Sequence, residues 1–299
     1  PIKTPKSHLR NEWDKTKIFG PNNWIHTAEQ FQVLGELVAS DVSLADRFSD
    51  KAELVNLLKE CIGLRKLYKK NNFDDDLPLP SDISSTFPHK STSDELVQCY
   101  LMTFEPIYRI LHVPSFKTEY ENFWRVPQSA SKHFKMKMAL IFAIGSAFHS
   151  FQDDWVSYEN TVQKWMYAAK LWLAGPSNHA NFTNDRLQIG CLLILARLTG
   201  PASTPTWIST ASLLQMGMMM GLHRDHMLFT SLTPFQAEMR SRLWTTIIEL
   251  SVQALLDSGV SLPLSLDEFD SRSPSNINDQ DIFPESKENT RPKDDHYEA

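Results

Sequence analysis

The chain has 299 residues, 41% of them hydrophobic, which suffices for a sizeable core in one large domain or two smaller ones. Its net charge of −6 sits in the tail: residues 267–299 hold ten acids and four bases, and the rest holds 26 of each. A neutral body with an acidic tail excludes a direct grip on phosphate backbones by this segment, because such a grip needs clustered Lys and Arg.

The three cysteines, Cys61, Cys99 and Cys191, are widely spaced and form no CxxC, which excludes a disulfide framework or a zinc motif and suits a reducing compartment. The longest apolar runs, around residues 138–148 and 191–198, are too short to span a bilayer, and no secretory signal opens the chain. The chain begins at Pro1, so a fragment or processed product is expected.

In chain order the elements read as helices. Thr27 can cap a first helix, with Gln30 in the reciprocal place of a capping box. Ser49 precedes a second, amphipathic helix that runs to residue 70, with Leu54, Leu58, Cys61, Arg65 and Tyr68 on one face. Residues 71–93 are Asp-, Pro- and Ser-rich without periodicity and read as a loop or linker. Residues 94–124 resume as a helix, a turn punctuated by Pro106 and Pro114, and a helix capped by Ser115.

Two longer helices follow at about 130–149 and 152–174. Trp155, Tyr158, Val162, Trp165, Ala169, Trp172 and Leu173 line one face of the second, and Gly175-Pro176 stops it. Residues 185–199 are apolar nearly all round, which marks a central buried helix. Thr204-Pro205 opens the next, with Trp207, Ala211, Leu214 and Met218 on one face and Gly221 as its stop. The segment "TPFQ" at 233–236 is a capping box for a helix to about Asp257, ended by Ser258-Gly259. Alternating β-branched runs are absent, so the fold class is all-α, a multi-helix domain of largely antiparallel helices. The Ser-, Pro- and acid-rich remainder is expected to be extended and then disordered.

Chemistry finds few footholds. Met216, Met219, Met220 and His223 share a helical face, which raises a soft-metal site, but Met is also a common core filler. Gly217 and Gly221 are spaced for close helix approach, and packing is the preferred account. "HRD" at 223–225 lacks the Asn of a kinase loop, since position 230 is Thr. "FDDDL" at 73–77 lacks the spacing and placement of a diphosphate site, and Asp153-Asp154 read as first-turn acids of a helix. His112, His149 and His179 have no nucleophile partner at recognisable spacing. No catalytic, cofactor-binding or metal residue is therefore assigned, and a non-enzyme is expected.

Four blocks resemble, in order, the fungal-specific transcription factor domain, the helical middle homology region of fungal binuclear zinc-cluster regulators, with the first block resembling the segment that precedes that region. They are "KTKIFGPNNWIHT" (15–27), "DELVQCYLMTFEPIYRILHVPSF" (94–116) with His112, Pro114, Ser115 and Phe116, "ASLLQMGMMMGLHRD" (211–225), and residues 238–281. The last keeps Arg240, Arg242 and Trp244, then Gly259, Pro263, Asp270, Pro274 and Asn276. The resemblance covers about residues 15–281.

It implies an internal piece of a nuclear regulator of RNA polymerase II-dependent transcription. Residues 1–70 would be an N-terminal helical segment, 71–93 a linker, 94–266 the helical regulatory domain and 267–299 an acidic disordered tail. Six closely spaced cysteines are absent here, so zinc and DNA contacts are implied for an upstream module. The resemblance also implies partners in the transcriptional machinery or other regulatory proteins, with a small-molecule inducer and a homodimer as further expectations and no membrane. The alternative is an all-helical small-molecule-binding protein or an enzyme with no local motif.

Overall fold

A computed structural model describes residues 56–57, 59–61, 63–64, 82–149, 155–175, 183–200, 207–229, 232–259 and 264–283. Among these there is no strand, and the fold is all-α. The helices with defined bounds are α1 (Lys90–Thr103), α2 (Glu105–Tyr108), α3 (Val113–Arg125), α4 (Lys132–Ser146), α5 (Trp155–Ala174), α6 (Asn184–Thr199), α7 (Trp207–Met219) and α8 (Pro234–Ser258), with short 3-10 turns between them. The expected first helix, the Thr204-Pro205 start and the tail beyond residue 283 lie outside the described residues.

The chain divides into two compact units, residues 1–75 with 251–263 and residues 76–250 with 264–299. In the first unit residues 56–57, 59–61 and 63–64 are helical. The last turns of α8 also belong to it, with Ser251 and Ala254 buried and Gly259 at φ 71° closing the helix. The second unit holds α1 to α7 and α8 as far as Leu250.

There α4 is the hub, packed against α1, α5 and α6. It is buried continuously from Met138 to Ser146, and α6 from Arg186 to Ala196, so both lack a solvent face. The α1–α4 crossing is set by Gly145: a Cβ there would collide with the backbone carbonyl of Leu96. Trp165 and Ala169 of α5 are fully buried, while Tyr158, Val162, Trp172 and Leu173 pack at the core's edge, as the stripe predicts.

Local signals place several ends correctly. In the Thr233 capping box, the Gln236 N–H donates to Thr233 Oγ1 (3.2 Å) and the Thr233 N–H to Gln236 Oε1 (3.0 Å). Gly221, at φ 71°, ends α7 in a reversed turn. The Gly221 N–H donates to Met218 O (2.9 Å) and the Leu222 N–H to Gly217 O (3.0 Å), the Schellman pattern. A Cβ on Gly217 would lie 3.3–3.5 Å from Ile247 and Trp244 of α8, so that glycine does permit close approach.

Two boundary expectations are corrected. Residues 71–81 lie outside the described residues, but 82–93 are not linker. Asp82 caps a 3-10 turn at Ile83–Thr86, and α1 begins at Lys90. The Phe87 ring sits 5.1–6.1 Å from those of Phe123, Phe142 and Trp165. Trp165 Nε1 donates to Thr86 Oγ1 at 2.8 Å. Those contacts are tertiary, so a periodicity search cannot see them. The α3 cap is His112 rather than Ser115, which lies inside the first turn.

Candidate functional site

The C-terminal segment 264–283 was expected to be extended and then disordered. It is instead a strap held against the rest of the second unit by two clamps, each joining residues of the 238–281 block to one of the earlier sequence blocks.

The deeper clamp centres on Asp279. One carboxylate oxygen accepts from Arg109 Nη2 (2.8 Å) and Arg242 Nη1 (2.6 Å). The other accepts from the backbone N–H of Val113 (2.8 Å). That N–H opens α3, whose capping residue supplies no side-chain bond, so the strap's carboxylate caps the helix and meets the positive end of its dipole. The Ile277 carbonyl accepts from Arg109 Nη2 (2.8 Å), and the Ser275 N–H donates to Glu238 Oε2 (3.1 Å). Arg242 Nε donates to Glu238 Oε1 at 2.8 Å. Two arginines thus face two carboxylates, and Arg242 is 1% exposed.

Burial works against the Asp279 charge, but the Val113 N–H and the two guanidiniums outweigh it and hold the carboxyl below its ordinary pKa. Glu105, which starts α2 nearby, goes the other way. Burial pushes it up to about 8, against the bonds it accepts from Tyr100 OH (2.6 Å) and the Leu111 N–H (2.9 Å). With the arginine charges already matched, Glu105 is left as the protonated member of the group. Arg109, which ends α2, sits at φ 46°, a left-handed conformation unusual for a residue with a side chain.

The shallower clamp uses "GLHRD". The His223 carbonyl accepts from the Asp270 and Ser271 N–H groups (3.0 and 3.1 Å). The Asp225 N–H donates to Asp270 Oδ1 (2.8 Å), Arg224 pairs with Asp270 (3.0 Å), and Arg272 Nε donates to Asp225 Oδ2 (3.0 Å). The three family positions on α8 divide the work. Arg240 donates to the Met220 carbonyl (2.6 Å) and so braces the turn that presents "HRD". Arg242 serves the deep clamp, and Trp244 packs its ring against Phe269 of the strap at 6.1 Å.

The methionine face does not gather. Met219 is 67% exposed, Met216 and Met220 pack at the core's edge, and His223 lies past the chain reversal, its ring 6.0 Å from that of Trp244. Asp225 caps the 3-10 turn His226–Leu228. His149 pairs with Glu95 at 2.5 Å, whereas His179, "FDDDL" and Asp153-Asp154 lie outside the described residues. Sequence reasoning missed His112, Ser115, Arg109 and Asp279 as a functional group. The motif match at His112 and Ser115 was the available signal, but nothing local ties them to position 279.

Beside the deep clamp lies a cavity of about 310 Å³. Its apolar side is formed by Leu111, Phe116, Phe134, Met239 and Leu243, and its polar side by His112, Ser115, Lys137, Asp185 and Gln188. Its lining holds one Met and no Trp. Lys137 Nζ donates to Asp185 Oδ1 (2.8 Å) and Gln188 Oε1 (3.2 Å), and Gln188 Nε2 donates to the Ile110 carbonyl (2.7 Å).

Comparison with known proteins matches residues 97–298 to the family model described as "Fungal specific transcription factor domain". The transcription factor opdR of Penicillium oxalicum is 44% identical over 287 residues, 95% of this chain and 36% of the relative. The transcription factor lepE of Aspergillus flavus is 36% identical over 204 residues, 67% of this chain and 24% of the relative. The equisetin cluster transcription factor eqxF of Fusarium heterosporum is 30% identical over 234 residues, 71% of this chain and 34% of the relative. The chain thus spans between a quarter and about a third of these relatives' lengths. No solved structure matches.

Proposed function

The chain belongs to the fungal specific transcription factor domain family, and from that premise we propose that it is the regulatory region of a transcription factor controlling RNA polymerase II-dependent transcription in the nucleus. The match over residues 97–298 carries the reading, and the charge distribution supports it. Acids and bases cancel over residues 1–266, so the phosphate contacts and groove readout belong to a basic zinc-binding module elsewhere in the whole protein. This segment needs no metal or cofactor of its own and acts as a regulatory module rather than as an enzyme. Its partners are other regulatory proteins, the transcriptional machinery or a second copy. The name of one relative carries over to clustered target genes as the expectation.

A mobility shift on random duplex at physiological salt tests the division of labour. The 299-residue chain should bind negligibly, and the coding sequence upstream of Pro1 should supply six closely spaced cysteines in a basic block. Tight, salt-sensitive binding by the chain alone would overturn the reading. The cavity beside the deep clamp favours a second, compatible element, response to a small-molecule inducer.

A further inference from the structure

The cavity and the deep clamp share one side chain. His112 is 7% exposed, and its Nε2 lies 2.9 Å from the backbone carbonyl of Asp279. A carbonyl only accepts, so Nε2 carries a proton. With the single ring proton there, Nδ1 accepts from the Ser115 hydroxyl 2.7 Å away. Ser115 lines the cavity, and its oxygen keeps lone pairs for a further donor. A relay of two hydrogen bonds therefore joins the cavity wall to the strap: Ser115 Oγ–H to His112 Nδ1, and His112 Nε2–H to Asp279 O.

The geometry points to this cavity as the binding site of a small, uncharged amphipathic molecule whose buried end donates a hydrogen bond to Ser115 Oγ and whose occupancy tightens the strap. The lining sets the class. Phe116, Phe134, Met239 and Leu243 offer apolar walls, and the volume sits at the lower end of the usual ligand-pocket range of about 300–1,000 Å³. The cation of the lining, Lys137, is already matched by Asp185, and Glu119 lies on the lining too, so an anionic ligand finds no unmatched partner. The direction follows from cooperativity: a hydroxyl that accepts a bond donates a stronger one, which polarises His112 and strengthens its bond to the strap. The inference rests on the regulatory reading and deepens it by naming an input and the element that responds.

The probe is N-phenyl-1-naphthylamine, an uncharged aromatic with one N–H. Its fluorescence reports binding to the 299-residue chain, and amide exchange over residues 270–282 reports the strap. Saturable binding is expected, with strap exchange slowed when the probe saturates. Glu119→Trp, which fills the cavity from an exposed position, should weaken binding about tenfold or more. If thermal melting shows that variant unfolded, Gln236→Trp on α8 makes the same test. Ser115→Ala should still bind the probe but lose the exchange response. Unsaturable binding, equal binding by the folded filling variants, or strap exchange that is unchanged or faster overturns the inference. None of these outcomes touches the DNA test above, so the two readings fail separately.

Discussion

The strap is held twice by the same chemistry, arginine against aspartate, and the two holds differ in how much water they see. At Asp279 the side chains are 14% exposed for the carboxylate and 1% for Arg242. At the "HRD" turn Arg224, Asp270 and Arg272 are each about half exposed. Exposed pairs of this kind are worth about 0–1 kcal/mol because water and salt screen them. A buried group is different in kind. Its net contribution over an apolar replacement is small, but removing one partner strands a charge without water, at about 3–5 kcal/mol. The deep clamp therefore fixes whether the strap is seated, and the shallow clamp adds backbone register at His223.

The sharpest way to break the contrast is Arg242→Met. It leaves Glu238 and Asp279 buried beside a thioether, and urea unfolding should register a loss of about 3–5 kcal/mol. An effect below about 1 kcal/mol would put the two clamps in the same class. Next comes pH. Glu105 is held up at about 8 when folded, against an ordinary 4.5 when unfolded. Between those values the folded chain keeps a proton that the unfolded chain has lost, so stability falls as pH rises through the window. Melting temperature should therefore decline between about pH 5 and about pH 8, by the equivalent of on the order of 3 kcal/mol. Glu105→Gln should flatten that slope. Asp279 works in the opposite sense, since its depressed pKa contributes stability that is present above 3.8 and lost as pH falls below it.

A smaller effect, about 1.5–3 kcal/mol, is expected for Asp279→Asn, which keeps the shape but loses the charge. Amide exchange should rise along residues 270–282 before it rises in α4 or α6. The smallest effect belongs to the shallow clamp: Arg272→Ala should cost less than about 1 kcal/mol, and raising the salt should erase the difference. A large, salt-insensitive loss would mean that the exposed clamp is as structural as the buried one.

What the sequence revealed and what it hid follow the range of the interactions. Gly221 and the Thr233–Gln236 box were legible because a helix end is decided within a few residues, and the buried α6 because apolarity all round a helix has one meaning. The partners of Arg224 and Asp225, Asp270 and Arg272, lie more than 40 positions away, beyond the reach of any local signal in "HRD". Residues 267–283 were misjudged because their composition resembles that of disordered chains, and composition averages over the one residue that matters. Asp279 looks like any other tail acid until Arg109, Arg242 and the Val113 N–H converge on it. His112 and Ser115 matched a family motif, but their roles appear only once the cavity and the strap are in place.

The separation of 170 positions between Arg109 and Asp279 also has a meaning in time. A ribosome adding roughly 5–20 residues per second finishes Arg109 on the order of ten seconds or more before it adds Asp279. Through that interval α3 begins with an uncapped N–H, Arg242 when made has only Glu238, and Arg109 has no reason to adopt its left-handed turn. Arg109 is therefore made long before the carboxylate that holds it, and the strap follows the helices it binds. A chain cut short before residue 279 would carry the whole core and still be unfinished at its most buried charge.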